Sequence, residues 1–303
     1  MMRATASPFK GMFNYAALGL NTIALSTPLL CVASAKLIPL ESARKACTKS
    51  LIGIAERWID NNSRLLDMTH KTRYHITGLD SLSYEGWYMV ISNHQSWADI
   101  LVLQKVFNHH IPFLKFFLKK ELIWVPVIGL CWWALDFPFM QRFSKEFLAK
   151  HPEQKGKDLE ITRRACEKFK HTPVSVMNFL EGTRFTHAKH DRQESPYQHL
   201  LKPKSGGIAY ALNIMKDEIH TLVDVTLYYP DAPHGELSFW DYMSGKADDI
   251  YVDIRVREIP KELQSGDYEN DEVFRERFQS WISTIWTEKD QILEEMHQRH
   301  IKS

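Results

Sequence analysis

The stretch "YMVISNHQSWADI", residues 88 to 100, carries an apolar run into Asn93, His94 and, five positions later, Asp99. Within one helix, five residues turn through about 500°, which leaves the two side chains roughly 140° apart. They meet only if His94 lies in a turn before a helix and Asp99 lies in its first turn. The flanks fit that geometry. Residues 87–92 read as a buried strand, and "DILVLQKVF" (99–107) reads as a helix continued by Leu101, Val102 and Phe107. Ser96 suits an N-cap, and Ser96-x-x-Asp99 also spells a capping box, whose carboxylate ties off backbone donors. A cap and a catalytic dyad are compatible, so the spacing alone leaves both open.

From residue 75 onward, short strands alternate with helices, as in an α/β layer fold. "VSVMNF" (174–179) and "TLVDVTLYY" (221–229) read as further buried strands. "GKDLEITRRACEKFK" (156–170) reads as a helix turning Leu159, Cys166 and Phe169 inward. The tail from Asp271 to His300 reads as a long amphipathic helix with Phe274, Phe278, Trp281, Ile285 and Leu293 on its packing side.

The second of these strands repeats the logic of the first. "VSVMNFLEGTRFT" (174–186) ends on Glu181, Gly182, Thr183 and Arg184. Glycine lets a ligand approach the backbone closely, threonine offers a hydroxyl, and arginine offers a forked donor suited to phosphate. Ligand sites in open α/β sheets favour the carboxyl ends of strands. Taken alone, the tetrapeptide reads equally as a strand-end turn with a surface Glu–Arg pair.

Composition narrows the class. In 303 residues, 38 Lys and Arg nearly balance 37 Asp and Glu, which gives no global attraction to nucleic acid. Cys31, Cys47, Cys131 and Cys166 are scattered without a CxxC pair, which argues against a disulfide framework or a zinc site and fits a reducing compartment. The fourteen histidines include His109-His110 and the His187/His190 pair, none with evident ligand spacing, so no metal site is expected.

Residues 11–35 carry no charged side chain, long enough to span a bilayer, which needs about 20 residues. Asn14, Asn21, Thr22, Ser26 and Thr27 dilute the run, and Pro28 is expected to kink it. A tilted or half-inserted helix fits as well as a clean span. Ala33-Ser34-Ala35 resembles a signal-peptidase site, but the apolar stretch exceeds a usual signal core, and a retained anchor is expected. Ala43, Cys47, Leu51, Ile54 and Trp58 then recur at helical spacing, with Arg44, Lys45, Lys49 and Arg57 on other faces. That pattern fits a basic helix on an anionic membrane surface, or an ordinary packing helix. The basic residues favour a cytoplasmic main domain. Farther on, the uncharged run Leu122 to Leu135 is too short to span; it fits an acyl tunnel, a dip into one leaflet, or a core helix.

The order Asn93-His94-x4-Asp99, Phe139-x2-Arg142 and Phe179-x-Glu181-Gly182-Thr183-Arg184 resembles the glycerolipid acyltransferases of the 1-acylglycerol-3-phosphate O-acyltransferase family, over roughly residues 70 to 230. HxxxxD and EGTR together, in this order and about ninety residues apart, are specific; either alone is weak. The wider sequence resembles a bacterial inner-membrane branch of that family. Two departures stand out. Asp136 replaces a glycine that often opens the second motif, and Asp224 sits where the fourth motif usually has a proline, which here comes only at Pro230.

The resemblance implies a mixed central β-sheet flanked by helices in a catalytic domain of residues 66–303, behind a membrane-associated helical segment of residues 1–65. It implies acyl transfer from acyl-CoA or acyl carrier protein to the free hydroxyl of lysophosphatidic acid. No further cofactor is implied, and the expected location is the cytoplasmic face of a bacterial inner membrane. In this reading His94 is the base that withdraws the hydroxyl proton, and Asp99 holds its tautomer. Arg142 and Arg184 neutralise the acceptor phosphate with Gly182 and Thr183, Glu181 orients Arg184 or a substrate hydroxyl, and amides at the start of the His94 helix are candidates for the oxyanion. The rivals are a non-catalytic lipid binder, opposed by the intact motif residues, and a lipid hydrolase, opposed by the lack of a GxSxG elbow.

Overall fold

The computed structural model describes residues 8–36, 40–140, 172–232 and 236–302, together with residues 151, 160, 163 and 169. The helix expected over 156–170 lies largely outside them.

Five short strands supply most of the scaffold: β1 (Arg73–Thr77), β2 (Tyr88–Ser92), β3 (Leu114–Phe116), β6 (Ser175–Phe179) and β7 (Thr221–Tyr228), with the longer β8 (Asp249–Glu258). They form one sheet in the order β1-β8-β7-β2-β6-β3. β7, β2, β6 and β3 run parallel, and β8 turns antiparallel to β7, so the sheet is mixed as expected. A small second sheet pairs β4 (Leu118–Lys119) with β5 (Phe139–Met140). All five residues of β2 are buried, as a strand with layers on both faces requires.

Alternation sends side chains to opposite faces. Val90, Val223, Val225 and Leu227 pack in one cluster with α2 (Glu41–Thr69) and α3 (Ala98–Phe107). Met89, Ile91, Val176 and Leu222 pack in another with α6 (Gly206–Ile214), α8 (Lys261–Gln264) and α9 (Glu272–Lys302); the short α5 (His187–Gln193) precedes α6 in the chain. The α9 stripe is as expected: Phe274, Phe278, Ile285 and Leu293 are buried, and Trp281 packs at the edge.

Polar residues interrupt the α9 face at Asp224 and Thr226, and α9 answers with Lys289. Its ammonium pairs with Asp224 Oδ1 at 2.6 Å and donates to Val225 O and, at 3.2 Å, to Thr226 Oγ1. Arg257 takes the other Asp224 oxygen at 3.1 Å and Glu288 at 2.6 Å. The Asp224 carboxylate is thus committed to the C-terminal helix, which accounts for an acid in place of a strand proline.

At the amino end, α1 (Pro8–Ala35) runs through Pro28 without interruption and lies along α2. Three of the residues that dilute its apolar run, Asn14, Asn21 and Thr22, are docking points, while Ser26 and Thr27 bond back to Ile23 O in their own helix. Asn14 donates to Met243 O at 2.8 Å and bonds His70 at 3.0 Å; Asn21 donates to Asn62 at 2.7 Å; Trp58 donates to Thr22 at 3.0 Å. Gly11 lets α1 meet α7 (Phe239–Met243) closely, since a Cβ there would lie 2.6 Å from Ser244 Oγ. The outer face exposes Phe9, Phe13, Leu20 (68 %) and Ile23 (60 %). In α2, Cys47, Leu51, Ala55, Ile59 and Leu66 are buried, so its apolar stripe packs inward while Arg44, Lys45, Lys49 and Arg57 remain exposed. The boundary expected at residue 65 falls inside α2.

The uncharged run 122–135 is not a core helix. It forms a 3-10 turn and α4 (Ile128–Ala134), which contacts α1 and exposes Trp124 (84 %), Leu130 and Trp133. Asp136 follows in a left-handed conformation at φ 58°, the backbone state a glycine adopts freely and aspartate tolerates. Its carboxylate pairs with Lys36 at 2.6 Å, and Lys36 also caps α4 through Ala134 O at 2.9 Å. The acid therefore fits the glycine's backbone role and adds a tie to the end of α1.

Candidate active site

β2, β6 and β7 are parallel neighbours, so their carboxyl ends lie along one edge of the sheet. His94, Glu181–Arg184 and Tyr229 follow those three ends in turn. Asn93 extends the ladder with its side chain, donating to Leu227 O at 2.9 Å and accepting from Leu227 N at 2.8 Å.

His94 and Asp99 meet as the spacing requires. His94 sits in the turn before α3, and its Nδ1 lies 2.8 Å from Asp99 Oδ2 in the first turn. The same oxygen accepts the Gln95 and Ser96 amides at 2.7 and 2.9 Å, while the Tyr229 hydroxyl donates to Oδ1 at 2.7 Å. Four donors converge on this one carboxylate, three on Oδ2 and one on Oδ1. Because an ionised carboxylate only accepts, Nδ1 carries the proton and Nε2 presents its lone pair. Burial and the neighbouring Asp99 push the Tyr229 phenol well above its usual range, so it stays a donor. The ring of His94 stacks on Phe179, with centroids 4.0 Å apart and planes 15° apart.

The capping reading also holds, in altered form. Asp99 accepts the Ser96 amide, but the residue before α3 is Trp97, and the Ser96 hydroxyl accepts from Ala98 N at 3.0 Å. One carboxylate caps the helix and aims the imidazole. The amides of residues 94, 95, 96 and 98 are all engaged by protein acceptors, which narrows the oxyanion candidates at the start of this helix.

Glu181 does not orient Arg184. It is fully buried, with Oε1 accepting His94 N at 2.7 Å and Oε2 accepting Leu201 N at 3.0 Å. Phe185 N donates to His94 O at 2.7 Å, so the segment 181–185 grips both sides of the histidine's own backbone. Burial raises the Glu181 carboxyl to about 8. Arg184 is exposed, with its guanidinium 5.2 Å above the Trp97 ring. Gly182, at φ 67°, leaves its backbone open, and Thr183 is half-buried beside it. Arg142 lies outside the described residues. Tyr229 was missing from the sequence reading; a polar group at a third strand exit, in "LYYP", was its signal.

The geometry sets an imidazole held by a buried carboxylate at the same sheet edge as the exposed Arg184, on a three-layer α/β fold. A family model described as Acyltransferase matches residues 73–230, just over half the chain, and the chain belongs to that family. The chain is 26 % identical over 249 residues to the 2-acyl-1-lysophosphatidylinositol acyltransferase of Saccharomyces cerevisiae, covering 68 % of this chain and 60 % of the relative. It is 28 % identical over 187 residues to the 1-acyl-sn-glycerol-3-phosphate acyltransferase delta of Mus musculus, covering 59 % and 44 %. It thus spans about half the length of the curated relatives it matches. Its fold resembles the crystal structure of the 1-acyl-sn-glycerophosphate (LPA) acyltransferase PlsC of Thermotoga maritima, with TM-score 0.57 and 17 % identity over 97 % of this chain and 98 % of that one.

Proposed function

We propose that this chain transfers a fatty acyl group from acyl-CoA or acyl carrier protein to the free hydroxyl of lysophosphatidate, giving phosphatidate. The observation that carries this is His94, its Nδ1 held by an Asp99 that three further donors fix in place and its Nε2 available, at the same sheet edge as Gly182–Arg184. Nε2 takes the hydroxyl proton as the oxygen attacks the thioester carbonyl. The carbon–sulfur bond then breaks, and the imidazolium returns its proton to the departing thiolate. No protein nucleophile enters this sequence. Asp99 stabilises the transient imidazolium, and Arg184, with Arg142, faces the acceptor phosphate.

Catalysis takes place at a membrane surface in this reading. The exposed apolar face of α1 and the tryptophans of α4 enter one leaflet, with the catalytic domain on the cytoplasmic side, where thioester donors are made. The docking of α1 along α2, α4 and α7 supports a retained anchor that lies against the domain.

The yeast relative's acceptor favours a second reading, a lysophospholipid with a larger headgroup. Mass spectrometry of lipids formed by the pure protein from acyl-CoA and a panel of lysophospholipids separates the two. Phosphatidate as the main product supports the first; a diacylated phosphodiester as the main product supports the second. Recovery of free fatty acid alone, or of unchanged lipids, would remove both.

A further inference from the structure

We infer that Lys204 is a further cation of the acceptor's phosphate site, and that it favours a phosphomonoester headgroup over a phosphodiester; the inference rests on the acceptor reading above. At Gly182 the backbone is bare, and the space a side chain would take is lined by Lys204. A Cβ on residue 182 would lie 3.1 Å from Lys204 Cδ and 3.2 Å from its Nζ. The lysine is tied to the motif by its own amide, which donates to Leu180 O at 2.7 Å. Its side chain is nevertheless exposed, so the ammonium faces whatever approaches Gly182.

Lys189 completes the corner. Its ammonium donates to Thr183 Oγ1 at 2.9 Å and to Arg184 O at 2.7 Å. A hydroxyl whose oxygen already accepts turns its hydrogen elsewhere, which leaves Thr183 a donor for a ligand. Arg184 stands on the Trp97 face beyond it. Three cations therefore surround this strand exit, while the motif's carboxylate, Glu181, is turned inward onto backbone amides. Near neutral pH a phosphomonoester carries between about one and a half and two negative charges, whereas a diester carries a single one. A corner with more than one ammonium beside an arginine matches the former.

The test compares kcat/KM for lysophosphatidate and for lysophosphatidylglycerol of the same chain length, in the full-length wild type and in Lys204→Gln. Lysophosphatidate should lose about ten- to a hundredfold and the diester less than about threefold, so that the preference collapses. Lys204→Arg should keep the preference. Lys204→Met, which retains the alkyl stem over Gly182, repeats the comparison should the Gln variant lose its fold. Equal loss on both acceptors, or a loss confined to the KM of the acyl donor, would overturn the inference. A wild type active on both acceptors with an unaltered preference in Lys204→Gln would overturn it while leaving the acyltransferase reading standing. A wild type that acylates neither would remove that reading first.

Discussion

Glu181 carries a raised acidity constant and a structural role at once, because a carboxyl withdrawn from water resists ionisation. With a folded value of about 8 against an ordinary 4.5, the native state holds a proton across that interval that the unfolded chain has released. The unfolded state then binds fewer protons, so stability falls as pH rises through the window, by about 1.4 kcal/mol per unit, and levels off above it. Urea unfolding of wild type and Glu181→Gln between these limits should show that extra slope in the wild type only. Parallel curves would mean that Glu181 is ionised in the fold throughout. At this scale the sequence was legible where chemistry follows from spacing: His94 and Asp99 meet as a turn-plus-helix demands. It was not legible for Glu181, since nothing in E-G-T-R says whether the acid turns toward its arginine or toward backbone amides 87 and 20 positions away. Tyr229 was hidden for a related reason, as an aromatic at a strand end reads as core until its hydroxyl is seen to have a partner.

Among the elements, α9 shows how a packing stripe can conceal a polar lock. The apolar positions of the C-terminal helix were readable from period 3.6, but nothing in that period marks Lys289 as fully buried. Burying it works only because Asp224, Thr226 and Val225 O meet it on the sheet, and those partners lie more than sixty positions away. Lys289→Met takes away the fully buried partner of Asp224 and leaves its carboxylate to the partly exposed Arg257, so it should destabilise the protein by about 3 kcal/mol. Adding Asp224→Leu should recover most of that loss, because the charge left stranded goes with it. Denaturant unfolding of the two variants checks this; a double variant no more stable than the single one would show that the pair is not what joins α9 to β7. Asp136 follows the same logic. What looked like a departure from a glycine proves to be a residue in the glycine's conformation, with an added ion pair to Lys36.

For the whole molecule, the alternation of strands and helices made the α/β class readable, and the parallel order of β2, β6 and β7 explains why two distant motifs share one edge. The amino-terminal segment was harder to read, because dilution of an apolar run by Asn and Thr looks the same whether those residues kink a span or dock a helix. They dock it, and the face left over is apolar. Replacing Leu20 and Ile23 with Asp on that face should weaken binding to vesicles of anionic phospholipid by about tenfold or more, as apolar burial at the interface is lost. Turnover of a dispersed short-chain lysolipid should stay near wild type. Unchanged vesicle flotation would place the membrane contact elsewhere.

The central claim is that His94 removes the acceptor's proton directly. It is tested by measuring kcat for acyl transfer to lysophosphatidate in wild type and His94→Ala, with the variant's fold verified by its unfolding midpoint. The account predicts a loss of about a hundredfold or more with lysolipid binding retained. Near-wild-type turnover in His94→Ala would contradict it.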